Sequence, residues 1–179
     1  MNRVTVVSSG PGAGKTTLAH ALAARIGAPH VELDALFWGP NWRHADPDVY
    51  RARVGDAVAG ERWVIDGNYR AVRDVIWPRA DTIVWLDYPL RIAYPRLVRR
   101  TLARWRSGEE LWAGTGNRES FRLLFLSRDS LLWWALRTYR GRRKRFEADL
   151  AKPEHAHLDV VRLRGPLQAK AWLRGIASA

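Results

Sequence analysis

Ser8-Ser9-Gly10-Pro11-Gly12-Ala13-Gly14-Lys15-Thr16-Thr17 is the stretch that most narrows what this chain can become. A β-branched run, Val4-Thr5-Val6-Val7, leads into it, and Thr17 to Ile26, rich in Ala and Leu at helical spacing, follows it. Strand, glycine-rich loop and helix in that order form a phosphate-binding loop. Its backbone N–H groups turn inward onto phosphate oxygens, which glycine permits because it has no Cβ and accepts positive φ. Gly10, Gly12 and Gly14 are read as supplying that freedom, with Ala13 and Thr17 completing the cradle. Lys15 is spaced to reach the β- and γ-phosphates and the Thr16 hydroxyl to ligate Mg²⁺, at the positive end of the helix. In the strict pattern G-x-x-x-x-G-K-S/T the first position is Gly; here it is Ser9, a small residue that serves there. The expected ligand is ATP with Mg²⁺.

The rest of the chain reads as alternating strands and helices. Gly27-Ala28-Pro29 ends the first helix, and His30 to Asp34 is a second strand closing on a carboxylate. Phe37 to Arg43 is a Trp/Gly/Pro loop, and Pro47 to Gly60 carries helix start and stop signals. Arg62 to Gly67 and Asp81 to Asp87 are buried-type strands that again end on Asp66 and Asp87. Leu90 to Ser107 is a helix, Gly108 to Asn117 a glycine-rich loop, and Glu119 to about Leu150 a long or broken helix. Val160 to Leu163 is the fifth strand and Pro166 to Ile176 a closing helix. This is the pattern of an α/β fold with a parallel sheet, whose ligands lie at the carboxyl ends of the strands.

Composition bounds the chemistry. With 179 residues and 47% hydrophobic content the chain is expected to fold as one domain over 1–179. It has no cysteine, so thiolate metal sites and a cysteine nucleophile are excluded. No leader or membrane span is read, which makes a cytoplasmic location the expectation. The net charge of +12 is concentrated: residues 91–145 hold 15 Arg and Lys against 4 acids. In the helix from Leu90, Arg96, Arg99, Arg100 and Arg104 are expected on one side and Tyr94, Val98, Leu102 and Trp105 on the other. With the adjoining loop, Arg118 and Arg122, they suggest an arginine-rich helical lid over about 104–122. An anionic partner is expected there, either a nucleotide or a nucleic-acid backbone.

Several segments together resemble a known family. The loop Ser9 to Thr16, the turn Asp66-Gly67-Asn68-Tyr69-Arg70, the strand Thr82 to Pro89 and the Arg-rich helix after it resemble adenylate kinase-related P-loop kinases. Leu33-Asp34-Ala35-Leu36-Phe37-Trp38 with Trp42, and Val64 to Tyr69, look like the bacterial group named DNA topology modulation proteins. The likeness runs from about Val4 to Leu163. It implies a P-loop NTPase fold with five parallel strands in the order 2-3-1-4-5, in which Asp66 lies beside the phosphate loop and acts on the metal with Thr16. It also implies that Asp34 faces the acceptor hydroxyl, in an acceptor-binding segment of about 35–62. A helix-capping role is the alternative for Asp34. Asn68 and Tyr69 stand where adenylate kinases have Phe and Pro, which puts AMP specificity in doubt.

Two functions are weighed. The first is a Mg²⁺-ATP-dependent phosphotransferase acting on a nucleotide or another small hydroxyl or phosphate acceptor. Lys15, Asp34, Arg118 and Arg122 are its catalytic residues, and Arg104 joins the loop in binding the nucleotide. The second is a nucleic-acid-binding P-loop ATPase or regulator of DNA topology, supported by Arg137, Arg140 and the run Arg142 to Arg145, with nucleic-acid binding expected to be weak and non-specific. Oligomeric state and acceptor identity stay open.

Overall fold

The computed structural model describes residues 1–120 and 130–177. Five parallel strands form the central sheet: β1 (Arg3–Ser8), β2 (His30–Glu32), β3 (Trp63–Asp66), β4 (Thr82–Leu86) and, after a small hairpin of β5 (Glu110–Leu111) and β6 (Asn117–Arg118), β7 (Asp159–Leu163). Their order is β2-β3-β1-β4-β7, which is the expected 2-3-1-4-5 once the hairpin is set aside. β1 is therefore flanked by β3, with Val6 beside Asp66, and by β4, with Ser8 beside Leu86. The crevice at the carboxyl ends opens next to β1, where the connections diverge to either side.

Alternation along the strands divides the core in two. Val4, Val6, Val64, Val84 and Leu86 pack on one face, against α1 (Lys15–Ile26) and α7 (Pro166–Gly175). Val7, Trp63, Ile65, Ile83 and Trp85 occupy the other. That face is covered by α3 (Pro47–Ala57), by α4 (Arg73–Ile76) and by the distal part of α6 (Leu131–Leu150), through Tyr50, Ile76 and Phe146. With both faces covered the strands read as continuous apolar runs, the usual signature of a buried parallel sheet. α2 (Leu33–Phe37) and a 3₁₀ turn at Pro40–Trp42 fill the path from β2 to α3.

The structure corrects several local expectations. β2 ends at Glu32, and Asp34 stands in the first turn of α2 rather than at a strand end. The glycine-rich loop contains the β5–β6 hairpin, and the helix expected from Glu119 begins, among the described residues, at Leu131. α5 (Leu90–Ser107) buries the seam Ala93, Leu97 and Thr101. Trp105, expected on the buried side, is 39% exposed, one turn beyond the last buried residue of that seam.

α5 touches the phosphate loop backbone to backbone. Gly12 has φ +86°, and a Cβ built there would lie 2.3 Å from the Ala93 carbonyl oxygen and 2.9 Å from Leu97. Gly10 has neither constraint: its φ is not positive, and a Cβ would meet Tyr139 at an ordinary 3.5 Å. Its expected role in loop freedom is thus not needed for the backbone path. Gly12→Ala is accordingly expected to cost at least ~2 kcal/mol, lowering the melting temperature by about 4–8 °C in a chain of this size, with Gly10→Ala close to wild type. Parallel thermal denaturation of the two variants checks this.

Candidate functional site

The loop between β1 and α1 is built for an anion. Gly14 takes φ +87° at the N-cap of α1, no side chain caps that end, and no acidic residue stands in its first turn. The first N–H groups of the helix are left to a ligand. Ser8 Oγ donates to the Gly10 carbonyl at 2.6 Å, and Arg96 Nε donates to the Gly12 carbonyl at 3.3 Å, so the loop is held from within and from α5. Ala13 is buried, Lys15 half-buried, and Thr16 and Thr17 are exposed at the mouth.

Two carboxylates, Asp66 and Asp34, act on Lys15, and Glu32 adjoins both of them. Asp66, 2% exposed, has an Oδ2 with no hydrogen-bond partner among the described residues; His30 Nε2 lies 3.7 Å from it. Glu32, beside Asp66 in register, is pushed up by burial and by the charges of Asp66 and Asp34, while a hydrogen bond from Trp112 pulls it back. Asp34 accepts a 2.5 Å hydrogen bond from the Tyr69 hydroxyl. It does not cap α2, whose N-cap is Glu32. Burial pushes the Lys15 ammonium down, Asp34 and Asp66 pull it up, and Arg100 and Arg142 push it down again. One lysine therefore senses two acids and two guanidinium groups in a single cleft.

Arg142 was read in the sequence only as part of a basic run, yet α6 turns it into this cleft. It is half-buried, lowered first by desolvation and then by Arg73 and Arg145, raised by Tyr69, and stacked 4.4 Å from the Trp134 ring. Arg100, lowered by burial and by Arg104, feels Glu119, Asp34 and Glu32. Arg104 stands one turn further out with Glu119. Arg118 lies exposed on β6 beside Gly108 and Glu110, with no described contact to the phosphate loop. Arg122 falls outside the described residues.

Aromatic side chains wall the approach. Trp38 meets Trp42 at 5.6 Å and stacks on Trp112 at 6.4 Å, and Phe37 meets Tyr69 at 4.7 Å and His44 at 4.8 Å. Asn41, Trp42 and Trp112 all adopt positive φ near +60°. A buried asparagine holds this arrangement: Asn117 Oδ1 accepts from the Trp42 N–H at 2.8 Å, and its Nδ2 donates to the Gly39 carbonyl at 2.9 Å. Trp112, Asn117, Tyr69 and Glu32 were missed in the sequence, because each acquires its place through a contact distant in the chain.

Asp87, at the end of β4, is committed elsewhere. It accepts two hydrogen bonds from Arg143 (2.7 and 2.9 Å) and two from Arg162 (2.9 and 2.7 Å). Beside it lies a groove of about 1080 Å³ between α6, the start of α5 and Arg164, lined by Arg91, Arg137, Arg140 and Lys144 among others and by no phosphate-loop residue. No three His, Asp or Glu side chains among the described residues are grouped to hold a metal ion, and no described helix is long and apolar enough to cross a membrane. A divalent ion here must complete its shell with phosphate and water. That suits Mg²⁺, and a buried carboxylate oxygen lacking a donor, together with the Thr16 hydroxyl, fits such an ion.

No protein-family model matches the chain, and no curated protein sequence matches it. Among solved structures it is similar to a sugar kinase from Janibacter sp., with 20% identity over 100% of both chains and a TM-score of 0.49. It is also similar to a gluconokinase from Sinorhizobium meliloti, with 21% identity, 98% of this chain and 93% of that chain covered, and a TM-score of 0.50. The likeness to the second is one of fold alone, an α/β architecture built on a five-stranded parallel sheet flanked by helices.

Burial pushes the Asp87 carboxyl up, but the hydrogen bonds and charges of Arg143 and Arg162 outweigh it and hold the group below its usual 3.8. A depressed folded value means that its contribution to stability is complete above about pH 4 and is lost as pH falls through the folded pKa. Asp87→Asn should therefore cost about 3 kcal/mol at pH 7, and the gap to wild type should narrow below pH 3. Urea unfolding of both proteins at the two pH values measures it.

Proposed function

We propose that this chain is a Mg²⁺-ATP-dependent phosphotransferase that moves the γ-phosphoryl group of ATP to a hydroxyl of a small acceptor. The observation that carries the reading is that Asp34, its carboxylate held by the Tyr69 hydroxyl, lies within electrostatic reach of the phosphate-loop lysine. A nucleotide switch needs the loop alone, whereas a carboxylate facing the loop suits transfer to a hydroxyl, whose proton it can take. Asp34 takes the acceptor proton as the acceptor oxygen bonds to phosphorus, the bond from phosphorus to the bridging oxygen breaks, and ADP leaves. Lys15 and the N–H groups of Gly10 and of residues 12–17 hold the phosphates, and Arg100 and Arg142 are the cations best placed for the charge that develops. Arg104 stands one turn further out on α5, and Arg118 lies beyond it on β6. Thr16 and Asp66 would hold Mg²⁺, which when bound neutralises phosphate charge and orients the transferred group.

The aromatic wall of Phe37, Trp38, Trp42 and Tyr69 supports an acceptor with an apolar or planar face, which includes sugars and nucleosides as well as nucleotides. The resemblance of residues 33–38 and 64–69 to the DNA topology modulation group belongs to this proposal. So does a cytoplasmic location, where ATP is supplied, and a single domain over 1–179. The test is an ATP-coupled screen of sugars, gluconate, nucleosides and nucleoside monophosphates. With the acceptor found, Asp34→Asn should lower kcat by about 10²–10⁴-fold with ATP affinity nearly unchanged. Lys15→Ala should abolish turnover and weaken ATP binding, and Asp66→Asn should impair it far more than it impairs folding. Wild-type turnover in Lys15→Ala would end the phosphotransferase reading.

A second reading, nucleic-acid binding, is favoured by the outer groove. Arg91, Arg137, Arg140, Lys144 and Arg164 line it with no described ion pair, and Trp133 and Trp134 lie 52% and 42% exposed on the same helix. A backbone-binding surface loses about 0.9 log units of affinity per log unit of salt for each phosphate neutralised. Weak, sequence-indifferent DNA binding that disappears near physiological salt is expected. Tight binding persisting at high salt, with no acceptor found, would reverse the order of the two readings.

A further inference from the structure

Ser9 occupies the position where the strict phosphate-loop pattern has glycine, and its hydroxyl is fully used. It accepts a hydrogen bond from Trp85 Nε1 at 3.1 Å and donates one to Asp87 Oδ1 at 3.1 Å. Ser9 is 2% exposed and Asp87 4%. Asp87 is gripped by Arg143 from α6 and Arg162 from β7, and the Arg162 guanidinium lies 4.2 Å over the same Trp85 ring. Arg162 also reaches Glu147 on α6 at 2.9 Å. The first residue of the loop is thus tied through one buried carboxylate to two other elements. Glycine at this position would leave a buried indole N–H without its acceptor, a cost of about 1–3 kcal/mol.

We infer that the Ser9–Asp87–Arg143–Arg162 network sets the resting shape of the phosphate loop, and that Ser9, Asp87 and Arg143 are positioning residues for the nucleotide. None of them is a phosphate ligand in this arrangement. Gly12 and Gly14 must take positive φ for the N–H groups to converge, and Ser8 closes a short turn onto Gly10. The segment between strand and helix therefore depends on how its first residues are held. The residue just before Arg143 in α6 is the cleft arginine Arg142, so the grip on Arg143 orients Arg142 toward Lys15. A staple that only stabilised the sheet would not need to pass through the loop's first hydroxyl.

This inference rests on the proposed nucleotide site, and titration calorimetry with Mg²⁺ and a non-hydrolysable ATP analogue tests the two separately. Ser9→Ala, Ser9→Gly and Arg143→Lys should each weaken analogue binding about tenfold, and Ser9→Ala combined with Arg143→Lys should weaken it little further, because both break the same connection. The KM for the acceptor should stay within twofold of wild type. If Arg143→Lys does not fold, Ser9→Ala decides alone, since Asp87 keeps both arginines in that variant. Lowered melting temperatures with analogue affinity within twofold of wild type would reduce the network to a structural staple and overturn the inference. A wild-type protein that binds no analogue would remove the nucleotide site itself, and this inference with it.

Discussion

The seating of α5 on the phosphate loop is the contact on which the cleft depends. Two backbones meet at Gly12, with no room for a methyl group between the loop and the Ala93 carbonyl. This approach fixes the rotation of α5. Once Ala93, Leu97 and Thr101 face inward, the i, i+4 row Arg96, Arg100 and Arg104 must run along the edge of the crevice. Arg96 closes the seam with its hydrogen bond to Gly12, and its terminal nitrogen lies 3.3 Å from where a Cβ on Gly14 would be. A glycine chosen for its φ thus also decides which arginines can reach a phosphate.

Charge is arranged in two separate ways within this basic chain. On the loop side, the half-buried Lys15 and Arg142 share Asp34, Asp66 and Tyr69 with the more exposed Arg100, an excess of cations that a triphosphate would relieve. At Asp87 the opposite holds: one buried carboxylate answers two guanidinium groups and a hydroxyl, and the local hydrogen bonding is complete. The two regions meet on α6, where Arg142 and Arg143 are neighbours with different surroundings. Adjacent positions on a helix diverge by about 100°, enough to send one side chain into the cleft and the next toward the sheet edge.

Much of this was legible in the sequence, and the parts that were not share a cause. The parallel strands and the phosphate loop followed from local patterns, a β-branched run, glycine spacing and carboxylates after apolar strands, whereas the strand order and the place of Asp66 beside β1 were implied by the family resemblance. Asp34 was identified as a residue of interest, but its partner Tyr69 lies 35 residues away and could not be read from spacing. Arg142 illustrates the same limit, since in sequence it is one cation in a run of four and only packing separates it from Arg143. Trp105 failed in the other direction. Helical periodicity placed it on the buried side, yet it is 39% exposed one turn beyond Thr101, because periodicity says which side of a helix a residue lies on and not how deeply that turn is covered.

The arrangement of Trp38, Trp42 and Trp112 has an optical consequence. Three of the ten tryptophans stand within 6.4 Å of one another, joining the segment after β2 to the β5–β6 hairpin. Indoles at such separations couple their electronic transitions, so their near-ultraviolet dichroism and fluorescence depend on the gap between these two pieces of chain. Two of the three also hold left-handed backbone conformations, which leaves few alternative ways for the rings to face each other. Any molecule that enters beside Trp38, or any shift of the hairpin, must alter that coupling. The protein therefore carries an intrinsic spectroscopic gauge of this side of the cleft, readable without a label.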